Sequence, residues 1–128
     1  MKKNKISKNW INRQRKDIYV RKSKIEGFRS RAVYKLKEID EKFKIFKHVN
    51  SLIDLGAAPG SWSQYAVTQI KSEKILSIDL IEFEKIKNIH KIIGDFTDAN
   101  CKEEIKKYFN SKIDLVISDM AVNTIGNK

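Results

Sequence analysis

Three aspartates stand at the carboxyl ends of short apolar segments that have the length of buried β-strands. They are Asp79, Asp95 and Asp119, and a fourth such segment ends in the small-residue loop Gly56–Gly60. In an open parallel sheet, ligands bind beyond the carboxyl ends of the strands. One aspartate at such a position is weak evidence, because aspartate is common in turns. Together, the four segment ends predict a single binding rim.

The residues at this rim suit a ligand that combines an amino acid with a nucleoside. The loop Gly56–Gly60 lets backbone approach closely, and the helix start that follows could attract a carboxylate. Asp54 or Asp119 could pair with an ammonium group. Asp79 could accept hydrogen bonds from both hydroxyls of a ribose. Asp95 and Phe96 offer an acceptor and an aromatic face for an adenine; a capping aspartate beside a core phenylalanine is the alternative.

Alternating strands and helices are predicted to position this rim. We expect strands over residues 51–55, 74–80, 88–93 and 113–118, and helices over residues 62–70 and 99–109. The last strand is mostly apolar, which is typical of a strand buried on both faces. This alternation indicates an α/β fold with a parallel sheet and right-handed crossovers.

A further helix is predicted over residues 31–46, before the first strand. Its apolar residues recur at three- and four-residue intervals and form one stripe facing a core: Ala32, Val33, Leu36, Ile39, Phe43 and Phe46. Ser30 is predicted to cap this helix, since its hydroxyl can accept a hydrogen bond from a first-turn amide. Lys35 lies at the border of the stripe, where its stem can pack while its amine reaches a cleft.

Positive charge is concentrated in the first part of the chain. Residues 1–50 hold 17 Lys and Arg against 5 Asp and Glu, a net charge of +12, whereas residues 51–128 hold 10 against 11, a net charge of −1. Such segregation is typical of contact with nucleic-acid phosphates. A solvated or ribosome-adhering tail is the alternative. We predict that residues 1–29 form a basic arm, either a short helix or irregular chain, that docks RNA.

Cysteine and histidine are too few for several other kinds of site. The single cysteine, Cys101, excludes an internal disulfide and a cysteine-cluster metal site, and His48 and His90 lack a metal-ligand spacing. We therefore expect no metal. The apolar runs are shorter than the roughly 20 residues of a membrane helix, and the N-terminus does not resemble a secretory signal. We expect a cytoplasmic protein without membrane attachment.

Five features occur in the order and spacing of a known family. They are SRAVYKL at residues 30–36, DLGAAPGSWSQY at 54–65, the aspartate at 79, GDF at 94–96 and SDMAVN at 118–123. Between about Arg29 and Asn123, the chain resembles the FtsJ family of ribosomal RNA large-subunit ribose methyltransferases. The resemblance implies a Rossmann-like, S-adenosylmethionine-dependent methyltransferase fold, with a parallel sheet flanked by helices. Residues 30–128 would form the N-terminal part of that domain, after the basic arm.

The resemblance also implies a cofactor, S-adenosylmethionine, and the residues that bind it. Those residues are Gly60, Trp62, Asp79, Asp95 and Asp119, with Phe96 against the adenine.

A catalytic pair is implied in the same way. Lys35 and Asp119 match the first lysine and the aspartate of the family's Lys-Asp-Lys-Glu catalytic set. A lysine with a depressed pKa could take the proton of a ribose 2'-hydroxyl, and Asp119 would orient its amine. The implied reaction is 2'-O-methylation of a ribose in a uridine of 23S large-subunit ribosomal RNA. That RNA, or the large ribosomal subunit, would be the partner.

The sequence departs from the family's pattern in three places. Ser61 stands where the family usually has a second glycine, and Val122 stands where it has a proline. The chain also ends at Lys128, ahead of the strands that carry the second catalytic lysine and the glutamate in relatives. We therefore expect C-terminal strands to be missing and the strand at 113–118 to be an open edge. The 128 residues alone are expected to be weak or inactive.

Other functions are compatible with parts of this pattern. A non-catalytic RNA- or ribosome-binding remnant would keep the fold and the basic arm. One half of a split enzyme would need a second chain that completes the sheet. A nicotinamide-dependent oxidoreductase shares the fold class, but DLGAAPG lacks the glycine fingerprint that such enzymes use.

Overall fold

Four helices and four strands make up the part of the chain that the computed structural model describes. The description covers the backbone of residues 2–71 and 74–120, and the side chains within those ranges from Lys8 onward. The elements are α1 Lys2–Glu26, α2 Val33–Phe43, β1 Ser51–Leu55, α3 Ser61–Gln69, β2 Lys74–Asp79, β3 His90–Ile93, α4 Ala99–Phe109 and β4 Leu115–Ser118. No helix within these ranges is long and apolar enough to cross a membrane.

The strands form one parallel sheet in the order β3-β2-β1-β4. The chain runs outward from β1 to β2 and β3, and then crosses back to place β4 on the other side of β1. A crevice forms where the strand order reverses in this way, and ligands bind there in open α/β sheets. Here the reversal lies between the carboxyl ends of β1 and β4. The predicted parallel α/β fold is confirmed.

Two apolar clusters cover the two faces of the sheet, because successive residues of a strand point to opposite sides. One face carries Leu52, Ile75 and Ile117, which contact residues of α2 and α3. The other face carries Ile53, Leu76 and Ile92, which contact residues of α4. Strand β4 is an edge of the described sheet, as expected from the sequence. Its Val116 side chain is 54% exposed, so the prediction of a strand buried on both faces is wrong.

The helix predicted over residues 31–46 is shorter at both ends. It begins at Val33 after the N-cap Ala32, so the predicted cap, Ser30, stands two residues before the cap position, although its hydroxyl does accept the Ala32 amide at 3.3 Å. The Ser30 hydroxyl also lies 2.8 Å from the Ser61 hydroxyl, which joins the start of α2 to the start of α3. The helix ends where Lys44 adopts a left-handed conformation (φ 52°) and donates its amide to the Asp40 carbonyl.

This early helix end separates two phenylalanines that the periodicity had placed on one stripe. Phe46 lies beyond the helix and is buried (7% exposed), with its ring edge against Tyr65. Phe43 is 67% exposed, so its predicted place in the core is wrong. The chain changes direction at Lys44, and the spacing of apolar residues in the sequence does not predict this turn.

The basic arm is one continuous helix rather than a short or irregular segment. Only the last turns of α1 contact the rest of the molecule among the side chains described. Ser23 is buried there, and Tyr19 lies against Tyr34 with 5.3 Å between the ring centroids. Residues 8–19 are exposed. A helix of this length extends about 37 Å.

The two phenylalanines give a matched test of the packing. We expect Phe46→Ala to lower the free energy of unfolding by about 3–5 kcal/mol, because it empties a buried ring site. We expect Phe43→Ala to change it by only about 0.5 kcal/mol, as is usual for an exposed side chain. Urea unfolding followed by circular dichroism measures both. Equal effects would contradict the burial described here.

Candidate functional site

The loop after β1 approaches the chain after β4 so closely that a glycine is required. Gly56 has a φ of +73°, and its amide donates to the Ile78 carbonyl at 2.8 Å. A Cβ at this position would lie 2.2 Å from Cγ of Met120. The missing side chain therefore leaves room for the segment that follows β4.

Asp79 joins this loop to the loop that follows β2. One carboxylate oxygen accepts the Ala58 amide at 2.9 Å, and the other accepts the Ile81 amide at 3.2 Å. Each oxygen of a carboxylate has a second lone pair, so both can still accept from a ligand hydroxyl. Asp79 is thus held in place by backbone and remains suited to a pair of adjacent hydroxyls.

Lys35 and Asp119 form an ion pair although they are 84 residues apart in the chain. The Lys35 Nζ lies 2.9 Å from Oδ1 of Asp119, with side chains 64% and 27% exposed. One residue comes from α2 and the other follows β4. An exposed pair adds at most about 1 kcal/mol to stability, so its placement matters more than its strength.

Asp119 lies between two spaces of different size. An open groove of about 470 Å³ is lined by Lys35, Asp119, Tyr19 and Tyr34, among others. A smaller cavity of about 40 Å³ is lined by Asp119, Asp54 and the residues of the loop from Gly56 to Pro59, among others. The groove faces α1 and α2, and the cavity faces the sheet. A group bound on either side could therefore reach the same carboxylate.

Asp54 is a buried carboxyl group beside that small cavity. It is 1% exposed and accepts the hydroxyl of Ser63 at 2.6 Å, and Ser63 lies 2.5 Å from the hydroxyl of Ser77. Burial raises the pKa of Asp54 to about 7; the Ser63 hydrogen bond opposes this, while the charges of Asp119 and Asp79 add to it. At neutral pH the carboxyl is therefore protonated in about half of the molecules. Of the two residues considered for an ammonium group, Asp119 is the better suited.

Comparison with known proteins shows the family. A family model described as FtsJ-like methyltransferase matches residues 28–128. The chain belongs to the FtsJ-like methyltransferase family. The resemblance read from the sequence motifs is confirmed.

Named members of this family are similar over the whole chain. Ribosomal RNA large subunit methyltransferase E of Pelagibacter ubique is 62% identical over 100% of this chain and 63% of its own length. The Rickettsia bellii protein of the same name is 51% identical over 95% of this chain and 56% of its own. The chain thus spans about 56–63% of the length of these relatives.

A solved structure gives the same fold. A crystal structure described as a ribosomal RNA methyltransferase from Plasmodium falciparum has a TM-score of 0.67 and 34% sequence identity. The match covers 78% of this chain and 60% of that one. The Rossmann-like methyltransferase fold implied by the resemblance is confirmed.

The fold brings most of the cofactor residues implied by the family to one rim. The Asp79 carbonyl accepts the Gly94 amide at 2.9 Å, which places Asp95 next to Asp79 along the strand ends. Gly60 is the N-cap of α3, with a φ of +117°. Trp62, however, is buried (7% exposed), and its indole donates to the Ala32 carbonyl at 2.8 Å. Trp62 also lines the small cavity beside Asp119, and its role in binding the cofactor stays a prediction.

The Asp95–Phe96 pair has the contacts of its structural alternative. Asp95 is exposed and its Oδ1 accepts both the amide and the hydroxyl of Thr97, which hold its pKa below the usual range. Phe96 is half-buried against the cluster that contains Ile92. These contacts fix the turn before α4. The role of the pair in binding adenine stays a prediction.

Some residues of the site stand out neither by motif nor by periodicity. Arg29 reaches two loops of the rim, and Tyr19 brings α1 to the edge of the groove. The serines that hold Asp54 have neutral side chains and give no charge signal, although Ser63 lies within the motif at residues 54–65. Within residues 8–71 and 74–120, no group of three His, Cys, Asp or Glu side chains could hold a metal ion.

The buried carboxyl of Asp54 makes stability depend on pH. Folding raises the pKa of Asp54 from about 3.9 in an unfolded chain, so the folded state keeps a proton that the unfolded state releases between about pH 4 and 7. The free energy of unfolding should therefore fall as pH rises through this window, by up to about 4 kcal/mol from this group. Urea unfolding at pH 4, 5.5 and 7 measures the dependence.

An Asp54→Asn variant isolates the contribution of this one group. Asparagine cannot titrate but keeps an oxygen that can accept from Ser63. Subtracting the stability of the variant at each pH removes the effect of all other groups. A difference that stays constant from pH 4 to pH 7 would show that Asp54 ionises normally in the folded protein.

Proposed function

We propose that the protein transfers a methyl group from S-adenosylmethionine to the 2'-hydroxyl of a ribose in large-subunit ribosomal RNA, at a uridine. The observation that carries this proposal is the Lys35–Asp119 pair, which stands between a groove open to a large substrate and a cavity under the glycine loop. The family match supports the reaction class. The names of the relatives support ribosomal RNA, and with it the cytoplasm, as the setting.

The residues of the rim fit the proposed cofactor. The loop from Gly56 to Pro59 lines the small cavity beside Asp119, which places its backbone against a ligand bound there. Asp79 would accept from the ribose hydroxyls, and Asp119 would pair with the ammonium of the amino-acid end. When bound, the cofactor supplies an electrophilic methyl group on a sulfonium.

The two charged residues would act on the other reactant. A ribose hydroxyl is a weak nucleophile until it loses its proton. Lys35, which lines the groove, would in its neutral amine form accept a hydrogen bond from the 2'-hydroxyl and take that proton, while Asp119 keeps the amine in position. Because the methyl moves in a single in-line displacement, correct placement of the oxygen supplies much of the rate.

We also propose that residues 1–29 dock the RNA and that residues 30–128 form part of the methyltransferase domain. Helix α1 carries ten Lys and Arg against two acids, and its Tyr19 lines the groove that holds Lys35. The arm would thus lead a bound RNA toward the reacting pair. The resemblance places the second catalytic lysine and the glutamate beyond the matched motifs. Methyl transfer is therefore proposed for the natural gene product, which means the protein as the cell makes it.

Two substitutions should separate binding from chemistry in the natural gene product. We expect Lys35→Met to lower the rate of methyl transfer by about 100-fold or more, since it removes the proton acceptor. Its affinity for S-adenosylhomocysteine should stay within about twofold. We expect Asp79→Ala to weaken that affinity by about tenfold or more, since it removes an acceptor for the ribose hydroxyls. Calorimetry and transfer of a radiolabelled methyl group measure the two effects.

Matched controls lie on the exposed face of α4. Lys102→Met and Glu103→Ala remove the same kinds of charge from exposed side chains that line neither of the two spaces beside Asp119, and they should change neither measurement. A folded protein that binds RNA but no S-adenosylhomocysteine would instead favour the non-catalytic RNA-binding alternative. Full activity of Lys35→Met would remove Lys35 from the reaction.

The proposed RNA-docking role of the arm can be tested by measuring how RNA affinity depends on salt concentration. We expect replacement of four exposed residues of α1, Arg13, Arg15, Lys16 and Arg21, by glutamine to weaken RNA binding. The slope of log affinity against log salt should become shallower by about 0.7–0.9 for each phosphate that the variant no longer neutralises. The control replaces four exposed lysines elsewhere, Lys102, Lys106, Lys107 and Lys112, which changes the net charge equally. The same slope for both variants would mean that α1 is a solvated tail.

A further inference from the structure

Arg29 differs from the other basic side chains described between residues 8 and 50 because its guanidinium is directed at protein carbonyls. Its Nη1 donates to the carbonyl of Pro59 at 2.9 Å and also to the carbonyl of Glu84, and its Nη2 donates to the carbonyl of Lys85 at 3.2 Å. Pro59 belongs to the loop after β1, and the other two belong to the loop after β2. One side chain thus links two loops of the rim.

The backbone of Arg29 is fixed at its own end as well. Its amide donates to Oε1 of Gln64 at 2.8 Å, and Nε2 of Gln64 donates to the Gly27 carbonyl at 3.2 Å. These bonds tie the connection between α1 and α2 to helix α3. Arg29 therefore reaches the two loops from an anchored position, which lets its guanidinium set their spacing.

Asp79 connects the same two loops through its carboxylate. It accepts the amides of Ala58 and Ile81, one from each loop. An open space of about 570 Å³ lies between the loops, lined by Arg29, Ala58, Pro59, Ile81 and Phe83, among others. Gly60 accommodates the guanidinium, because a Cβ there would lie 2.9 Å from Nη1 of Arg29. The space is thus lined by Arg29 and by two residues, Ala58 and Ile81, whose amides donate to the proposed ribose acceptor Asp79.

We propose that Arg29 is a positioning residue for the adenosine half of the cofactor, and not an RNA contact. This inference rests on the proposed function, since it assigns a role within the same cofactor site. Without the guanidinium, the loops on either side of Asp79 lose a common support, and a nucleoside would have to order them on binding. Guanidinium donors that already serve protein carbonyls are poorly placed to bind phosphates.

The test measures two ligands that share the adenosine half, using the natural gene product. Arg29→Ala should weaken S-adenosylhomocysteine binding by about tenfold or more, as expected for loss of charge-assisted hydrogen bonds. The affinity for 5'-methylthioadenosine, which lacks the amino-acid end, should fall by the same factor. Affinity for RNA and its salt slope should not change. A residue that merely stabilised the fold would not produce this matched loss at temperatures where the variant is fully folded.

Two further variants keep the test decisive. Arg29→Lys keeps the charge, but a single ammonium cannot donate to three carbonyls on two loops. The affinity for both ligands should therefore stay below that of the unchanged protein. If Arg29→Ala fails to fold, Gln64→Leu replaces it in the test. Gln64→Leu removes the anchor without altering the guanidinium, and it should weaken the binding of both ligands to a smaller degree. Arg21→Ala is the matched control: it should make the RNA salt slope shallower and leave both nucleoside affinities unchanged.

The outcomes distinguish this inference from the proposed function. If the unchanged protein binds S-adenosylhomocysteine and Arg29→Ala binds it equally well, the inference is overturned and the proposed function stands. A shallower RNA salt slope in Arg29→Ala, restored by Arg29→Lys, would also overturn it, because Arg29 would then be a phosphate contact. If the unchanged protein does not bind S-adenosylhomocysteine, the proposed function fails and the inference fails with it.

Discussion

The site depends on how closely the turn after β1 approaches its neighbours. At Gly56 the chain bonds to the end of β2 and passes so close to Met120 after β4 that a Cβ at this position would displace the Met120 side chain. That approach places Asp79 where it can accept backbone amides from both flanking loops. It also brings Asp119 to the edge of the cavity beneath the turn. The parallel sheet brings the strand ends to a common edge, and the turn determines the distances between the residues of the site.

The sequence predicted those parts of the site that depend on strand ends. Parallel strands must end at a common edge, so aspartates that follow apolar segments could be placed there without knowledge of packing. Contacts between segments that are distant in the sequence could not be predicted in this way. The turn at Lys44 ends α2 early and moves Phe43 into solvent, and helical periodicity carries no information about it. Likewise, the family's pattern predicts that Trp62 binds the cofactor, but it gives no sign that the indole is buried and donates to the Ala32 carbonyl.

Arg29 shows the same limit for charge. In sequence it is one of 17 basic residues in the first 50, and composition assigns it to the arm. Its partners are carbonyls at Pro59, Glu84 and Lys85, which are neutral and leave no trace in a charge pattern. Under the proposed function, the boundary between the RNA-docking arm and the cofactor-binding domain therefore does not coincide with the boundary of the basic segment.

A carboxylate that faces two spaces has a thermodynamic consequence under the proposed function. Asp119 holds Lys35 in the groove and borders the cavity that would receive the ammonium of the cofactor. An ammonium that shares Asp119 alters how strongly that carboxylate holds Lys35, so occupancy of one space changes the free energy of binding in the other. Such coupling is reciprocal, and each ligand changes the affinity of the other by the same factor. The two reactants would thus be linked through a single side chain, without any movement of the sheet between them.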